Sequence, residues 1–417
     1  MHIFTLVFLI VTATALLLQQ YLVWRQMTHV RQHRAAVPGA FAEKIPLAAH
    51  QKAADYTLAK NRLERIDIVY STILLLLWTL GGGLALLDDA VRTLELSSLW
   101  TGTVFLLAMS LIASLLDLPL TAWRTFVLEQ RFGFNRTNVA TFVSDLAKQA
   151  LLTILIGAPL LLLILWLMQN SGKAWWLYVW AVWIGFGLFM MWAYPTFIAP
   201  LFNKFSPLED ENLRERIANL LQRCGFTSKG VFVVDGSKRS GHGNAYFTGL
   251  GHNKRIVFFD TLLNSLGTDE IEAVLAHELG HFKRKHIIKR IISMAIFALL
   301  GLALLGWLID QPWFYTALGA EQASLHMALA LFMLVLPVFT IFLQPLGSWF
   351  SRKHEFEADE FAARQCDPQA LVQALVKLYE ENASTLTPDP LYSAFHDSHP
   401  PAPVRIDHLY HAMTEPH

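Results

Sequence analysis

Residues 273–288 read AVLAHELGHFKRKHII, and a long apolar run continues from their last two residues. The order H-E-x-x-H within this stretch sets His277 and His281 four residues apart. On a helix, residues at that spacing lie on one face about one turn apart. The basic letters KRK are typical of a membrane surface, after which the apolar run enters lipid. The stretch therefore predicts a metal-binding helix beside a membrane span.

The composition of the whole chain is that of a membrane protein. Of its 417 residues, 54% are hydrophobic and 16% are charged, which is more apolar than an ordinary soluble protein. The 33 basic and 33 acidic residues balance, so the net charge does not suggest a nucleic-acid partner. Cys224 and Cys366 are far apart in polar segments, which predicts free thiols rather than a disulfide or a CxxC metal site.

Seven segments are long and apolar enough to span a bilayer. They lie near residues 3–23, 68–87, 99–121, 149–168, 175–199, 287–309 and 325–346. The first lacks the basic start and cleavage site of a signal peptide, so it is predicted to be a true span. Lys and Arg are concentrated after the first span and absent from DQPWFYTALGAEQ between the last two. This bias predicts an outside N-terminus and a cytoplasmic C-terminus.

The spans divide the chain into four parts. Residues 1–199 carry spans one to five, 200–286 form a cytoplasmic catalytic region with the HExxH helix, 287–346 carry spans six and seven, and 347–417 form a C-terminal cytoplasmic region. In the second part, ENLRERIANLLQRCGF has helical periodicity, whereas VFVVD and RIVFFD are typical of short strands. Glycine-rich turns of a hairpin-like element are expected between those two strands.

The H-E-x-x-H helix lets His277 and His281 hold one Zn²⁺ together. Glu278 then projects beside the metal, where it can polarise a water molecule instead of acting as a ligand. A catalytic zinc normally has three protein ligands, so a third must come from elsewhere in the chain.

The helical stretch SRKHEFEADEFAARQ, after the last span, is the candidate source of the third ligand. Its Glu355 and Asp359 lie four residues apart on one face. Glu355 is the candidate ligand, and Asp359 is then placed to accept a hydrogen bond from a zinc-bound histidine. Glu357 is expected to point away from this face as a solvated charge.

A third group of polar residues occurs near the end of the chain, in SAFHDSHPPAPVRIDHL. His399 precedes two prolines, which favour an extended turn, and Arg405 follows six residues later. Taken alone, each is more typical of a surface position. With the metal motif upstream, either could donate a hydrogen bond to a tetrahedral oxyanion.

Four motifs in this order carry a resemblance to a known family: NAYFTG at 244–249, HELGHFKRKH at 277–286, SRKHEFEADEFA at 351–362 and HPPAPVR at 399–405. Together with RFGFNRTN at 131–138, they closely resemble the CAAX prenyl protease 1 family of seven-span gluzincin metalloproteases. The resemblance implies a mainly α polytopic membrane protein, with seven transmembrane helices enclosing a water-filled chamber and a small α+β cytoplasmic zinc-protease domain.

The resemblance also implies an activity: endoproteolysis of isoprenylated CAAX-type peptides near the C-terminus, with one Zn²⁺ per chain. Its partners would be a peptide or protein substrate and the lipid bilayer. Matching motif to motif implies the zinc ligands His277, His281 and Glu355, the acid/base Glu278, the histidine-orienting Asp359, the substrate-contacting strand residue Asn244, and the pair His399 and Arg405 close to substrate.

Two other interpretations stay open from the sequence. An HtpX-like quality-control protease shares the HExxH and ExxxD motifs, but is expected to be shorter with fewer spans. A transporter or scaffold with a structural zinc would usually add a Cys or His ligand, and neither motif has a cysteine nearby. The expected location is a multi-pass membrane position with cytoplasmic active-site loops, in the cell membrane of a bacterium or the endoplasmic reticulum of a eukaryote.

Overall fold

The first half of the chain folds almost entirely into helices, as its long apolar segments require. The structure, a computed structural model, describes residues 2–226, 228, 230–248 and 255–414. The helices of this half are α1 (Ile3–His33), α2 (Leu47–Trp78), α3 (Gly83–Arg92), α4 (Ser98–Trp123), α5 (Gln130–Phe132), α6 (Val139–Asn170), α7 (Trp175–Ala193) and α8 (Ala199–Phe202).

Among its described residues, the second half combines four short strands with further helices. In chain order these are β1 (Phe205–Pro207), α9 (Glu211–Cys224), β2 (Val231–Val234), β3 (Ala245–Thr248), β4 (Arg255–Phe259), α10 (Asp260–Ser265), α11 (Thr268–Lys283), α12 (His286–Leu308), α13 (Pro312–Thr316), α14 (Leu325–Thr340), α15 (Gln344–Gln365), α16 (Pro368–Glu381), α17 (Pro390–His396) and α18 (Ala402–Thr414).

Within the described residues, six helical segments are long and apolar enough to cross a membrane. They are Ile3–His33, Ser98–Phe132, Val139–Asn170, Gly172–Phe202, His286–Leu308 and Leu325–Gln365. A bent pair, α2 and α3, passes the same test as one broken span and brings the total to seven. On α12, the exposed residues Ile288, Ile292 and Ile296 recur every four positions, as on a lipid-facing stripe.

The second span differs from its prediction. Residues 68–87 are predicted as one continuous segment, but the helix stops at Trp78 and resumes at Gly83 with a bend of 51°. The break falls on the run Gly81–Gly83, where Gly82 adopts φ +77°, a conformation that favours glycine. Gly319 packs against it so closely that a Cβ there would lie 2.6 Å from the Thr79 carbonyl oxygen.

The strands form one small sheet in the order β1-β2-β4-β3. VFVVD and RIVFFD are strands, as predicted, but they pair with each other in parallel as β2 and β4. Part of the predicted hairpin-like element between them is β3, which pairs antiparallel with β4, Ala245 lying opposite Phe258. The glycine-rich residues 249–254 of that element lie outside the described residues. Sequence patterns did not identify β1 or β3. Both are three or four residues long, too short to show a clear alternation.

Helix α15 continues the last span into the C-terminal region. A short 3₁₀ turn, Ile341–Leu343, connects α14 to α15, so that Leu325–Gln365 forms one continuous helical segment of 41 residues. The predicted boundary between residues 346 and 347 lies inside α15. The residues that follow the membrane segment are therefore held by a helix that starts within it.

Helices α11 and α15 pack closely against each other in the core of the second half. Ala273, Leu275, Ala276 and Leu279 of α11 are buried in this core, together with Ala362 of α15. At Gly280 the two backbones meet, and a Cβ there would lie 2.9 Å from the Ala358 Cα atom and 3.0 Å from its carbonyl oxygen. Only glycine allows this approach.

The Gly280–Ala358 approach predicts that Gly280→Ala destabilises the protein. The added methyl group meets backbone, which cannot move aside as a flexible side chain can, and such overpacking costs about 1–3 kcal/mol. The matched control is Gly301→Ala in α12, where the nearest atom, Phe332 Cζ, is 3.7 Å away. Thermal unfolding in detergent should show a lower midpoint for Gly280→Ala than for Gly301→Ala. Equal midpoints would contradict the packing argument.

Candidate active site

Helix α11 brings the two histidines together. Its first turn is stabilised by Glu270, whose carboxylate accepts a hydrogen bond of 2.6 Å from the Gly267 amide. One helical turn separates His277 from His281, and their Nε2 atoms lie 3.3 Å apart. Two imidazole nitrogens at this distance can bind the same cation.

Helix α15 completes the group with Glu355. Its carboxylate lies 3.4 Å from His277 Nε2 and 3.3 Å from His281 Nε2. One ligand atom from each of the three residues falls within 4.8 Å of the others. Glu355 is buried and its Oε2 accepts no hydrogen bond, so an electron pair is left without a hydrogen-bond donor. Two nitrogens and one oxygen, with a free carboxylate electron pair, fit a divalent zinc ion.

The far side of His277 is held by Asp359 and Arg405. Asp359 Oδ1 lies 2.8 Å from His277 Nδ1, and its two oxygens accept hydrogen bonds from Nε and Nη2 of Arg405. Asp359 is fully buried and Arg405 nearly so. In the neutral ring, with Nδ1–H donating to Asp359, the electron pair of Nε2 is directed towards Glu355 and His281.

The charges in this cluster shift one another's pKa values. Burial opposes the charged form of His277, but the neighbouring carboxylates of Asp359 and Glu355 outweigh it and raise its pKa to about 9. Burial likewise opposes ionisation of Asp359, yet Arg405 and His277 hold its pKa at about 2. The pKa of Glu355 is also lowered, because the contacts to both histidines outweigh its burial.

Glu278, the predicted acid/base, sits one residue after the first histidine and is half-buried. Within the described residues, no hydrogen bond or ion pair engages its carboxylate. This carboxylate is therefore not held by another side chain, as an acid/base residue requires.

The C-terminal pair splits into two different environments. His399 Nε2 lies 3.4 Å from Glu355 Oε1, and its side chain is 63% exposed, so it faces the open side of the cluster. Arg405 is turned inward: beyond its bonds to Asp359, Nη1 lies 3.7 Å from Glu355 Oε2. This engagement favours a positioning role for Arg405 over the predicted oxyanion contact.

Asn244, predicted as a strand residue, lies immediately before β3 and is exposed. Its side-chain oxygen accepts a hydrogen bond from the Ala245 amide, and its carbonyl accepts one from the Phe259 amide. The structure does not connect it directly to the three candidate ligands. β3 nevertheless lies beside α11, called the metal helix below because it carries both candidate histidine ligands. Phe247 of β3 packs on Phe282 of α11 with ring centroids 5.1 Å apart.

Sequence reasoning missed a set of contacts on the other histidine. His286 Nδ1 lies 3.0 Å from His281 Nδ1, and His286 Nε2 lies 3.0 Å from Glu357 Oε2. The prediction that Glu357 is a solvated charge is therefore wrong. His354 stacks on His286 with ring centroids 4.0 Å apart. The one indication in the sequence was a third histidine, His286, which ends the motif HELGHFKRKH five residues after His281.

Comparison with known proteins matches nearly the whole chain. Residues 26–204 match a family described as CAAX prenyl protease N-terminal, five membrane helices, and residues 207–413 match peptidase family M48. The CAAX prenyl protease 1 of Saccharomyces cerevisiae is 34% identical over 417 residues, covering 94% of this chain and 92% of that protein. The chain belongs to the CAAX prenyl protease 1 family.

Other relatives and a solved structure agree. The human CAAX prenyl protease 1 homolog is 30% identical over 440 residues, covering 93% of this chain and 92% of that protein. The crystal structure of S. mikatae Ste24p matches with a TM-score of 0.92 at 33% identity, covering 98% of this chain and 99% of that one. The resemblance and the fold class predicted from sequence are thereby confirmed.

Membership of the CAAX prenyl protease 1 family makes the chain a metalloendopeptidase that acts on peptide or protein substrates. It is also a multi-pass integral membrane protein. The transporter or scaffold interpretation is excluded, because the second half of the chain is a peptidase domain.

The raised pKa of His277 predicts that Zn²⁺ binding to the metal-free protein is pH-dependent. Below a pKa of about 9 the ring carries a proton, which must leave before Nε2 can bind a cation. The apparent affinity should therefore rise about tenfold per pH unit between about pH 6 and pH 8. Chelator competition at several pH values, with the chelator calibrated at each, would measure it. An affinity that does not change with pH would contradict the prediction.

Proposed function

We propose that the protein is a zinc-dependent endopeptidase that cleaves near the C-terminus of prenylated CAAX-type substrates, with its active-site loops on the cytoplasmic side. The observation that carries the proposal is the convergence of His277, His281 and Glu355 from two helices, with ligand atoms within 4.8 Å of one another. Glu278 projects from the same helix as the histidines with its carboxylate unengaged.

The donor set supports catalytic rather than structural zinc. Three protein ligands leave a fourth position for water, whereas structural sites usually close that position with Cys or His. Both cysteines are occupied elsewhere: the thiol of Cys224 contacts Gln365, and that of Cys366 contacts the Glu272 carbonyl oxygen. Zinc bound by the triad would supply a Lewis acid that polarises a peptide carbonyl and lowers the pKa of water towards about 7.

Glu278 acts as the general base and then the general acid. Its free carboxylate takes a proton from the attacking water and returns that proton to the leaving amine. Asp359 keeps His277 in the tautomer that presents Nε2, and Arg405 keeps Asp359 ionised. These two residues hold the site rather than touching substrate.

His399 is the donor for the oxyanion. Ser398 Oγ lies 2.9 Å from His399 Nδ1, so the hydroxyl can donate to that nitrogen and leave the hydrogen on Nε2. Nε2 faces the cluster, 3.4 Å from Glu355, on its solvent-accessible side. A neutral imidazole with Nε2–H in this place can stabilise a developing oxyanion, a contact typically worth about 3–4 kcal/mol.

Substrate binds along β3. This strand pairs with β4 on one side and ends the sheet on the other, so an extended peptide can add as a further strand. Asn244 stands at the entrance to this edge, exposed to a bound peptide. The Phe247–Phe282 contact sets the edge next to the metal helix.

The substrate class rests on the relatives, whose names describe prenyl proteases of CAAX sequences. A prenyl chain is an apolar group, and the seven membrane segments of this chain supply apolar surroundings next to the site. The cytoplasmic location rests on the basic residues clustered after the first span.

The role of Glu278 predicts that Glu278→Gln strongly lowers turnover without loss of metal. Removing a general base typically lowers the rate 10²- to 10⁴-fold, whereas the ligand set stays intact. Peptide cleavage and zinc content would be measured on the same preparation. Glu360→Gln, an acid on α15 that contacts His408 instead of the cluster, is the control. Cleavage at the wild-type rate by zinc-loaded Glu278→Gln would refute the assignment of Glu278 as the general base.

The proposed specificity predicts faster cleavage of a farnesylated C-terminal CAAX peptide than of the same peptide without the prenyl group. The apolar chain adds binding energy that the unmodified peptide lacks. Mass spectrometry would identify the products, and kcat/KM would be compared for the two peptides. Equal values would refute prenyl recognition while leaving the protease assignment standing.

A further inference from the structure

An unusual backbone turn follows the metal helix. Lys285 adopts φ +56° and ψ +31°, a left-handed conformation that non-glycine residues rarely take. It separates α11 from α12. Along an uninterrupted helix, His286 would be rotated about 140° from His281, so the two rings would point apart. The turn at Lys285 instead brings the His286 ring back against His281.

The contacts of His286 form a short chain from the candidate metal site to a carboxylate. His281 Nδ1 lies 3.0 Å from His286 Nδ1, and His286 Nε2 lies 3.0 Å from Glu357 Oε2. The His286 side chain is 5% exposed, and His354 stacks on its ring. Lys289 Nζ lies 3.8 Å from Glu357. His286 is thus fixed on each side by a partner.

The position of each hydrogen along the contacts from His281 through His286 to Glu357 follows from their chemistry. An ionised carboxylate can only accept, so the hydrogen between His286 and Glu357 is on His286 Nε2. A neutral His286 then has no hydrogen on Nδ1, and this atom accepts from His281 Nδ1–H. His281 is left with a free electron pair on Nε2, the atom that faces His277 and Glu355.

We infer that His286 and Glu357 are positioning residues that orient His281 for metal binding. The inference rests on the proposed zinc site. Asp359 does the same directly for His277, at 2.8 Å. Each histidine thus has its own carboxylate, one directly and one through a second imidazole. Such outer partners fix the ring and raise its basicity, and their loss typically lowers metal affinity 10- to 100-fold.

The test measures Zn²⁺ affinity of the purified full-length chain in detergent, by competition with a chromophoric chelator. His286→Ala removes the acceptor for His281 and should weaken binding about 10- to 100-fold. His286→Asn keeps an acceptor oxygen close to the position of Nδ1 and should restore most of the affinity. A merely structural role for the ring would not distinguish these two variants in this way.

The second arm is a double-mutant cycle with Glu357. Glu357→Ala should weaken Zn²⁺ binding, but the double variant with His286→Ala should bind no more weakly than His286→Ala alone, because Glu357 acts through His286. Glu360→Ala on the same helix is the matched control, since its carboxylate faces His408. Thermal midpoints, recorded with and without Zn²⁺, show whether each variant is folded.

The outcomes separate this inference from the proposed function. Suppose the wild-type chain binds Zn²⁺ and cleaves peptide, and the Zn²⁺ affinity of His286→Ala is within twofold of the wild-type affinity. This result would overturn the inference and leave the proposed function standing. Additive losses in the cycle, or no recovery in a folded His286→Asn, would also overturn it. A wild-type chain that binds no Zn²⁺ would overturn both. If His286→Ala does not fold, the Zn²⁺ affinities of Glu357→Ala and Glu360→Ala are compared instead. Equal affinities of these two variants would refute the inference.

Discussion

The backbones of α11 and α15 approach each other at Gly280 and Ala358, and the site depends on this contact. A Cβ at Gly280 would lie 2.9 Å from the Ala358 Cα atom, so any residue larger than glycine would force the helices apart. His281 is one residue from this point on α11, and Asp359 is one residue from it on α15. Ligand atoms from two helices can lie within 4.8 Å of one another because nothing stands between the helices here.

The same two helices tie the site to the membrane. α12 begins three residues after α11 ends, and α15 continues α14 through a single 3₁₀ turn. The positions of the last two spans and of the ligands are therefore mutually dependent. The membrane half also contacts the loop between β2 and β3: Asn135 forms a bridge with Ser240, and the Gly241 amide donates to the Phe134 carbonyl oxygen. Both contacts lie just before β3, the edge strand.

Burial of several charges together explains why the chain needs its last helix. Glu355 and Asp359 are both buried, and a buried carboxylate without a partner is costly. Arg405 of α18 supplies the missing positive charge, with Nε 2.8 Å from Asp359. α18 is held in turn by Ile406 and Leu409 in the core, and by the Tyr379 hydroxyl, which accepts from the Ala402 amide. The C-terminal segment is thus part of the site.

The sequence by itself determined the features that depend on local periodicity and composition. H-E-x-x-H paired His277 with His281, the four-residue spacing paired Glu355 with Asp359, and hydropathy located the spans, because each pattern lies within one short stretch of the sequence. The tertiary structure decided what depends on backbone breaks and on meetings between distant helices. It divided the second span at Gly82, turned Arg405 inward to Asp359, and brought His286 back to His281 through the left-handed Lys285. These arrangements depend on packing between segments, which no local pattern records.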